Sequence, residues 1–320
     1  MKVGIIGAGG VGAACLISLV ARGTTACRVI VVDKNPALAK GVVADLQYGA
    51  TLSPNVEIRA GEYADLADAM LVIITAGINE KAGGATNRSD PAGRLRLLDT
   101  NAGVYREIVP QVMKVAPAAV LLVVTDPPDP LADLARQLAG PSVEAGRVLS
   151  SGTYLDSLRF RLHLGRHLQV NPAYVEAQVV GEHGTSQVFL WSSARVAGTP
   201  VATLLERSGQ DAAKFRQEVE QDVRYANITI IEGTGASRLG IGMVTARITE
   251  AILRDEQAVI PIGSYNEKYG ATVSLPSVVG RRGVTEIFEP EMNAEERAAL
   301  EKGAAVLRGA VERMGKAAAG

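Results

Sequence analysis

The sequence predicts an α/β chain: a doubly wound parallel sheet in the first half and an α+β region in the second. Three observations predict it. Short apolar runs alternate with longer amphipathic stretches through the first half. A glycine-rich turn joins the first run to the first amphipathic stretch. After about residue 150 that alternation gives way to mixed short strands and helices.

The elements follow in order. Lys2–Ile6, Arg28–Val32, Val56–Ala60, Met70–Thr75 and Ala118–Thr125 are apolar and rich in β-branched residues, as strands covered on both faces must be. Val11–Arg22, Pro36–Tyr48 and Leu95–Ala116 carry helical patterns between them. Right-handed crossovers then order a parallel sheet. In the second half, Leu155–His167, Asp211–Glu232 and Met243–Arg254 read as helices. Tyr174–Glu182 and Gln187–Ala197 read as strands, and Ala258–Ser264 with Ala271–Val279 as a late antiparallel pair. Ala294–Met314 places Leu300, Val306, Leu307 and Val311 on one stripe of a terminal helix. The division expected is between 1–150 and 151–320. Residues 77–93 form the least regular segment, a long loop of the kind that usually serves function.

Composition narrows the function classes. The 320 residues carry 33 Lys+Arg against 34 Asp+Glu, a formal net charge of −1, which lacks the basic excess of a nucleic-acid surface or a polybasic membrane anchor. Cys15 and Cys27 cannot make a disulfide framework, so reduced thiols and a cytoplasmic setting are expected. The apolar stretch from Val3 to Val20 is broken by glycines and resembles neither a signal peptide nor a membrane span. With 4% aromatic residues, the core must be built from Val, Leu, Ile and Ala.

Gly7-Ala8-Gly9-Gly10-Val11-Gly12 matches G-x-G-x-x-G after a strand and at the start of a helix, the context that makes this pattern a dinucleotide cradle. Gly7 allows the tight turn, Gly9 the approach of a pyrophosphate, and Gly12 close helix–strand packing. Asp33 ends the second strand, where a carboxylate accepts from a ribose 2′-OH and repels a 2′-phosphate. NAD is therefore expected over NADP, on a Rossmann-type doubly wound parallel sheet.

Three histidines occur. His163 and His167 share a helix face without a cluster to complete a metal site, so no metal is expected. His183 lies in Gly181-Glu182-His183-Gly184, where flanking glycines leave room for a ligand. An imidazole beside a nicotinamide is a natural proton donor. Hydride transfer to a 2-oxo acid also needs a group to orient that donor, a carboxylate clamp and a polarising charge. Asp156 and Arg159 face one way at i, i+3, and suit the first two roles. Arg94, ending the irregular loop, can swing in as the third.

Over nearly its whole length the chain resembles the lactate/malate dehydrogenase superfamily of L-2-hydroxy acid dehydrogenases. The matching motifs, in family order, are Gly7–Gly12, Thr75-Ala76-Gly77, Arg94–Asn101, Thr125–Asp129, Asp156–Arg159 and Gly181–Gly184. The resemblance implies His183 as acid/base, Asp156 as its partner, Arg159 as carboxylate clamp and Arg94 as mobile-loop arginine. It implies that Thr75, Ala76 and Gly77 line the cofactor groove with Asn101 nearby, that Thr125 and Asp126 stand at its nicotinamide end, and that the protein is a homodimer or homotetramer. Gly181–Pro200, with Trp191 and Ser192, looks closer to lactate than to dimeric malate dehydrogenases.

Three departures from the family pattern bear on substrate. Asp126 stands where the family has Asn, and adds negative charge beside an anionic substrate. The lengthened loop leaves the discriminating position open between Glu80, which repels a second carboxylate, and Arg88, which binds one. Gly235 stands where a larger pocket residue is expected, and leaves volume for a side chain bigger than methyl. Two rivals follow: an NAD-binding protein that has lost or altered its chemistry, with Asp126 as the lesion, and an NAD-dependent glycosidase, which needs Cys and His around a metal.

Overall fold

In the computed structural model the described residues are 1–23, 27–53, 55–79, 82, 92–207, 209 and 211–317, the side chains of 92–96, 316 and 317 excepted. The first half runs β1 (Lys2–Ile6), α1 (Gly10–Arg22), β2 (Cys27–Val32), α2 (Pro36–Ala50), β3 (Val56–Ala60), β4 (Leu71–Ile74), α3 (Ala92–Val115), β5 (Val120–Val123), α4 (Pro128–Ala139) and β6 (Val148–Ser150). All five parallel pairings of the first half, β1 with β2 and β4, β2 with β3, and β5 with β4 and β6, lie in one sheet.

Strand side chains alternate faces, and here each face has its own core. Val3, Ile5, Val29, Val31, Leu71 and Ile73 pack in one cluster with α1 and α2 residues and with Val244, Ile248 and Ile252. Ile6, Ile30, Val32, Val72, Ile74 and Leu121 pack in another with α3 and α4. At roughly 1.5–3 kcal/mol for each fully buried large aliphatic, these faces supply most of the driving force. Helices on both sides explain why the inner strands β4 and β5 are apolar on both faces, while the edge strand β3 exposes Glu57 and Arg59.

The second half runs α5 (Tyr154–His167), β7 (Val175–Glu176), β8 (Val179–Val180), β9 (Val188–Phe189), β10 (Arg195–Val196), β11 (Thr199–Pro200), α6 (Val201–Arg207), α7 (Ala212–Arg224), α8 (Ala226–Thr234), α9 (Leu239–Leu253), β12 (Ala258–Asn266), β13 (Ala271–Gly280), β14 (Gly283–Ile287) and α10 (Ala294–Ala317). β12, β13 and β14 are antiparallel, and β12 also pairs with β6. One nine-stranded sheet results, in the order β14-β13-β12-β6-β5-β4-β1-β2-β3. Smaller sheets, β11-β10-β7 and β8-β9, surround a cluster in which Phe160 and Trp191 meet edge to face at 4.7 Å.

The structure differs from the sequence reading in definite places. The sequence reading has no counterpart of α4, which carries Pro128 and Pro130. Both fall in the first helical turn, where a missing N–H costs nothing. The expected helix 211–232 breaks at Tyr225 into α7 and α8. The long strands 174–182 and 187–197 are pairs of two-residue strands separated by turns. β6, β14 and α6 are too short to stand out by periodicity. No helix among the described residues is long and apolar enough to cross a membrane.

Candidate active site

The glycine turn is shaped as its sequence predicts. Gly7 has φ +104°, and a Cβ there would lie 2.7 Å from the Ala76 nitrogen. A Cβ on Gly12 would lie 1.9 Å from the Gly7 carbonyl oxygen, so only glycine lets α1 start this close to β1. Nothing lies within 4 Å of a Cβ on Gly9, whose outer side is open to a ligand. Thr75 Oγ1 donates to the Gly7 carbonyl at 2.9 Å and ties β4 to the turn. Asp33 is fixed by two main-chain donors, Ala8 N at 2.7 Å and Asn35 N at 2.8 Å. A carboxylate has roughly four acceptor sites, so Asp33 keeps capacity for ribose hydroxyls. These residues fit a dinucleotide.

The carboxyl ends of the strands open into a cleft. Gly9, Gly10 and Val11 line it from the turn; Thr75, Gly77, Thr125 and Asp126 from the strand ends; Arg159, His183, Asn227, Ser237 and Ile241 from the second half. Buried Asn101 organises the strand-end loops. Its Nδ2 donates to the carbonyls of Asp126 (2.8 Å) and Ile78 (3.2 Å), and its Oδ1 accepts from Ile78 N (2.8 Å). Thr125 Oγ1 donates to the Ala76 carbonyl at 2.8 Å. The Asp126–Pro127 peptide is cis.

His183 is located by hydrogen bonds from three directions. Just before it, Gly181 pairs through both main-chain groups with Ser274 of β13, at 2.8 Å each. Its own main-chain N–H donates to Asp129 Oδ2 at 2.6 Å. Its ring Nδ1 lies 2.6 Å from Asp156 Oδ2. α5 is pinned to the same strand: Thr153 Oγ1 donates to the Val179 carbonyl at 2.5 Å, and Val179 N donates to Ser157 Oγ at 2.9 Å. Asp156 and His183, distant in sequence, are thereby held in register.

The Asp156 carboxylate is buried and divided between two partners: Oδ2 faces His183, and Oδ1 accepts from Arg159 at 2.8 Å. Burial acts to raise its pKa, but charge and hydrogen bonds from His183 and Arg159 outweigh burial and hold it below the ordinary value. Behind the site, Asp129 is fully buried and also accepts from Ser150 Oγ at 2.5 Å. Burial pushes this carboxyl up to about 6 against the pull of those hydrogen bonds.

The structure therefore brings His183, Asp156, Arg159, Asp126 and Thr125 together with the glycine turn. Glu80 and Arg88 lie outside the described residues. Arg94 falls in the first turn of α3, but its side chain lies outside them too. Gly235 is a correction: it caps α8 with φ +78° and does not line the cleft, which Asn227 and Ser237 do instead. The break between α7 and α8 interrupts this segment; Asn227 carries no sequence signal, and Ser237 and Ile241 none beyond following Gly233-Thr234-Gly235. Cys15 and Cys27 are buried within a sheet-face cluster and do not line the cleft. His167 stacks on Phe215 at 3.8 Å, and His163 Nδ1 lies 3.9 Å from Asp222. Among the described residues no group of three or more His, Cys, Asp or Glu could hold a metal.

Comparisons with known proteins match both halves of the chain. Residues 1–148 match the model of the lactate/malate dehydrogenase NAD binding domain, and residues 153–317 that of the α/β C-terminal domain. An L-lactate dehydrogenase of Deinococcus radiodurans is 41% identical over 316 residues, 98% of this chain and 100% of that one. An L-lactate dehydrogenase of Thermus aquaticus is 40% identical over 320 residues, again 98% and 100%. The crystal structure of a minor L-lactate dehydrogenase from Enterococcus mundtii superimposes with a TM-score of 0.89 at 33% identity, covering 98% of each chain.

Proposed function

The chain belongs to the lactate/malate dehydrogenase family and is an NAD-dependent 2-hydroxy acid dehydrogenase, and on that premise we propose that His183, Asp156 and Arg159 carry its chemistry on an L-2-hydroxy acid. The observation that carries the reading is one carboxylate, Asp156, joining an imidazole and a guanidinium that both line the cleft.

NADH, when bound, supplies the hydride to the 2-oxo carbon. Arg159 grips the substrate carboxylate, since its planar fork matches two oxygens. His183 delivers a proton from its ring to the carbonyl oxygen as charge develops there, and takes one back in the reverse direction. Asp156 stabilises the protonated ring and fixes which nitrogen faces substrate. Arg94, Thr75, Ala76, Gly77 and Asn101 are assigned as the family resemblance implies. Residues 1–150 form the cofactor part and 151–320 the substrate part.

Pyruvate is the first substrate to test, with oxaloacetate, branched and amino-substituted 2-oxo acids beside it. NADH oxidation with at least one of them is expected. Tight NADH binding with no turnover on any would sink the proposal and favour an NAD-binding protein without this chemistry, a reading that Asp126 on the cleft wall also supports.

We also assign a homodimer or homotetramer. Ile17, Leu38, Leu239 and Met243 expose large apolar side chains on α1, α2 and α9, a surface suited to a second copy. Two free, buried thiols suit a cytoplasmic setting.

A further inference from the structure

Two helix starts meet beside the glycine turn. α1 begins at Gly10 and α9 at Leu239. The two helices approach so closely that a Cβ on Gly242 would lie 2.6 Å from the Ala14 carbonyl carbon and oxygen. Each start presents N–H groups without helical partners and the positive end of a dipole. Helices commonly offset this with an acidic residue in the first turn or a side-chain cap. α1 and α9 have neither.

The residue at the α9 cap is instead a cation. Arg238 adds positive charge at the helix end that favours negative charge. Its side chain lies over the start of α1, with Cδ 3.3 Å and Nη1 3.7 Å from where a Cβ on Gly10 would be. Among the described residues the Arg238 side chain makes no hydrogen bond or ion pair, although Asp45 lines the same groove; the Arg238 carbonyl accepts from Gly242 N at 3.1 Å. Its neighbour Ser237 lines the cleft. Two uncompensated helix starts and an unpaired guanidinium thus converge on one spot.

We propose that Arg238 is a cofactor-binding residue that pairs with the pyrophosphate of the dinucleotide held by the Gly9–Val11 turn. This assignment rests on the NAD reading of that turn. The bound dianion satisfies both helix starts and the guanidinium at once, which accounts for the missing acidic residue. Gly242 has a part in this arrangement: the close helix contact that it permits carries Arg238 to Gly10.

The test is equilibrium binding of NADH and of ADP-ribose, which keeps the pyrophosphate and lacks nicotinamide, to wild type, Arg238→Gln and Arg238→Lys at low and high salt. Arg238→Gln is expected to weaken both ligands by roughly tenfold at low salt, the loss of one charge-assisted hydrogen bond. It should also flatten the salt dependence of binding, and Arg238→Lys should retain most of the affinity. Wild-type affinity and salt response in Arg238→Gln overturn the assignment. So does weakening of NADH without weakening of ADP-ribose, or a loss that follows a change of oligomeric state in size-exclusion chromatography. Wild-type protein that binds neither ligand overturns the cofactor reading itself, a result distinct from those.

Discussion

Asp156 Oδ2 stands 2.6 Å from His183 Nδ1 while the other oxygen of the same carboxylate takes Arg159 at 2.8 Å. The proposed proton carrier and the proposed substrate clamp therefore share one buried negative charge. Disturbing it should affect both functions, whereas each of its two partners can be removed with a narrower effect.

Asp156→Asn removes that charge and nearly keeps the shape. Its kcat should fall by roughly two to four orders of magnitude, because the protonated imidazole loses its counter-charge and the wrong ring tautomer becomes favoured. NADH affinity should stay within about twofold, since the Asp156 carboxylate bonds to Arg159 and His183 and does not itself line the cleft; steady-state kinetics and a binding titration separate the two. An unchanged kcat would remove Asp156 from the mechanism.

Arg159→Leu should act mainly on substrate. Removing a partly buried charged clamp is expected to weaken binding of the 2-oxo acid by about 2–5 kcal/mol, read as a rise in KM, with NADH binding intact. A KM near the wild-type value would place the substrate carboxylate elsewhere.

Asp126→Asn tests the departure from the family pattern. A negative charge on the cleft wall opposes an anionic substrate by about 1–4 kcal/mol at close range, depending on the local dielectric. The variant should raise kcat/KM for pyruvate by tenfold or so, chiefly through KM. A fall would show that the Asp126 side chain serves the reaction this enzyme performs, and would direct the search to substrates carrying a cationic group.

Asp129→Asn reports on stability against pH. The folded carboxyl is raised to about 6, above roughly 3.9 for an unfolded Asp. Its contribution is fully present below about pH 3.9 and is lost as pH rises through about 6. Asp156 has the opposite sign: its lowered folded value favours the native state above the unfolded pKa, and that support is lost as pH falls. Urea unfolding across this window should show the Asp129 component flattened in Asp129→Asn. An unaltered curve would mean that Asp129 does not titrate between those limits.

The parallel sheet was legible because buried strands must be apolar on both faces, and β1 and β3 run over the ranges that the pattern indicates. The glycine turn was legible because steric limits tie residue type to position, as at Gly7 and Gly12. The charged triplet was legible as candidates only: no spacing rule links Asp156 to His183, and the link is made by Thr153 and Ser157 gripping β8. Asn227 and Ser237 stayed hidden because a helix break has no periodic signature. α4 stayed hidden because proline reads as a breaker unless the helix start is already known.

The place of β6 has a further consequence. It is three residues long, lies inside the sheet, and is flanked by β5 from the first half and β12 from the second. A chain cut after Ser150 would turn this inner strand into a bare edge, with unpaired N–H and C=O groups open to any neighbouring strand. The same cut would strip Asp129 of the His183 N–H that it accepts. Expressed alone, the cofactor half should therefore aggregate edge to edge. The two halves, though each has its own family model, would have to be made, evolved or engineered as a single piece.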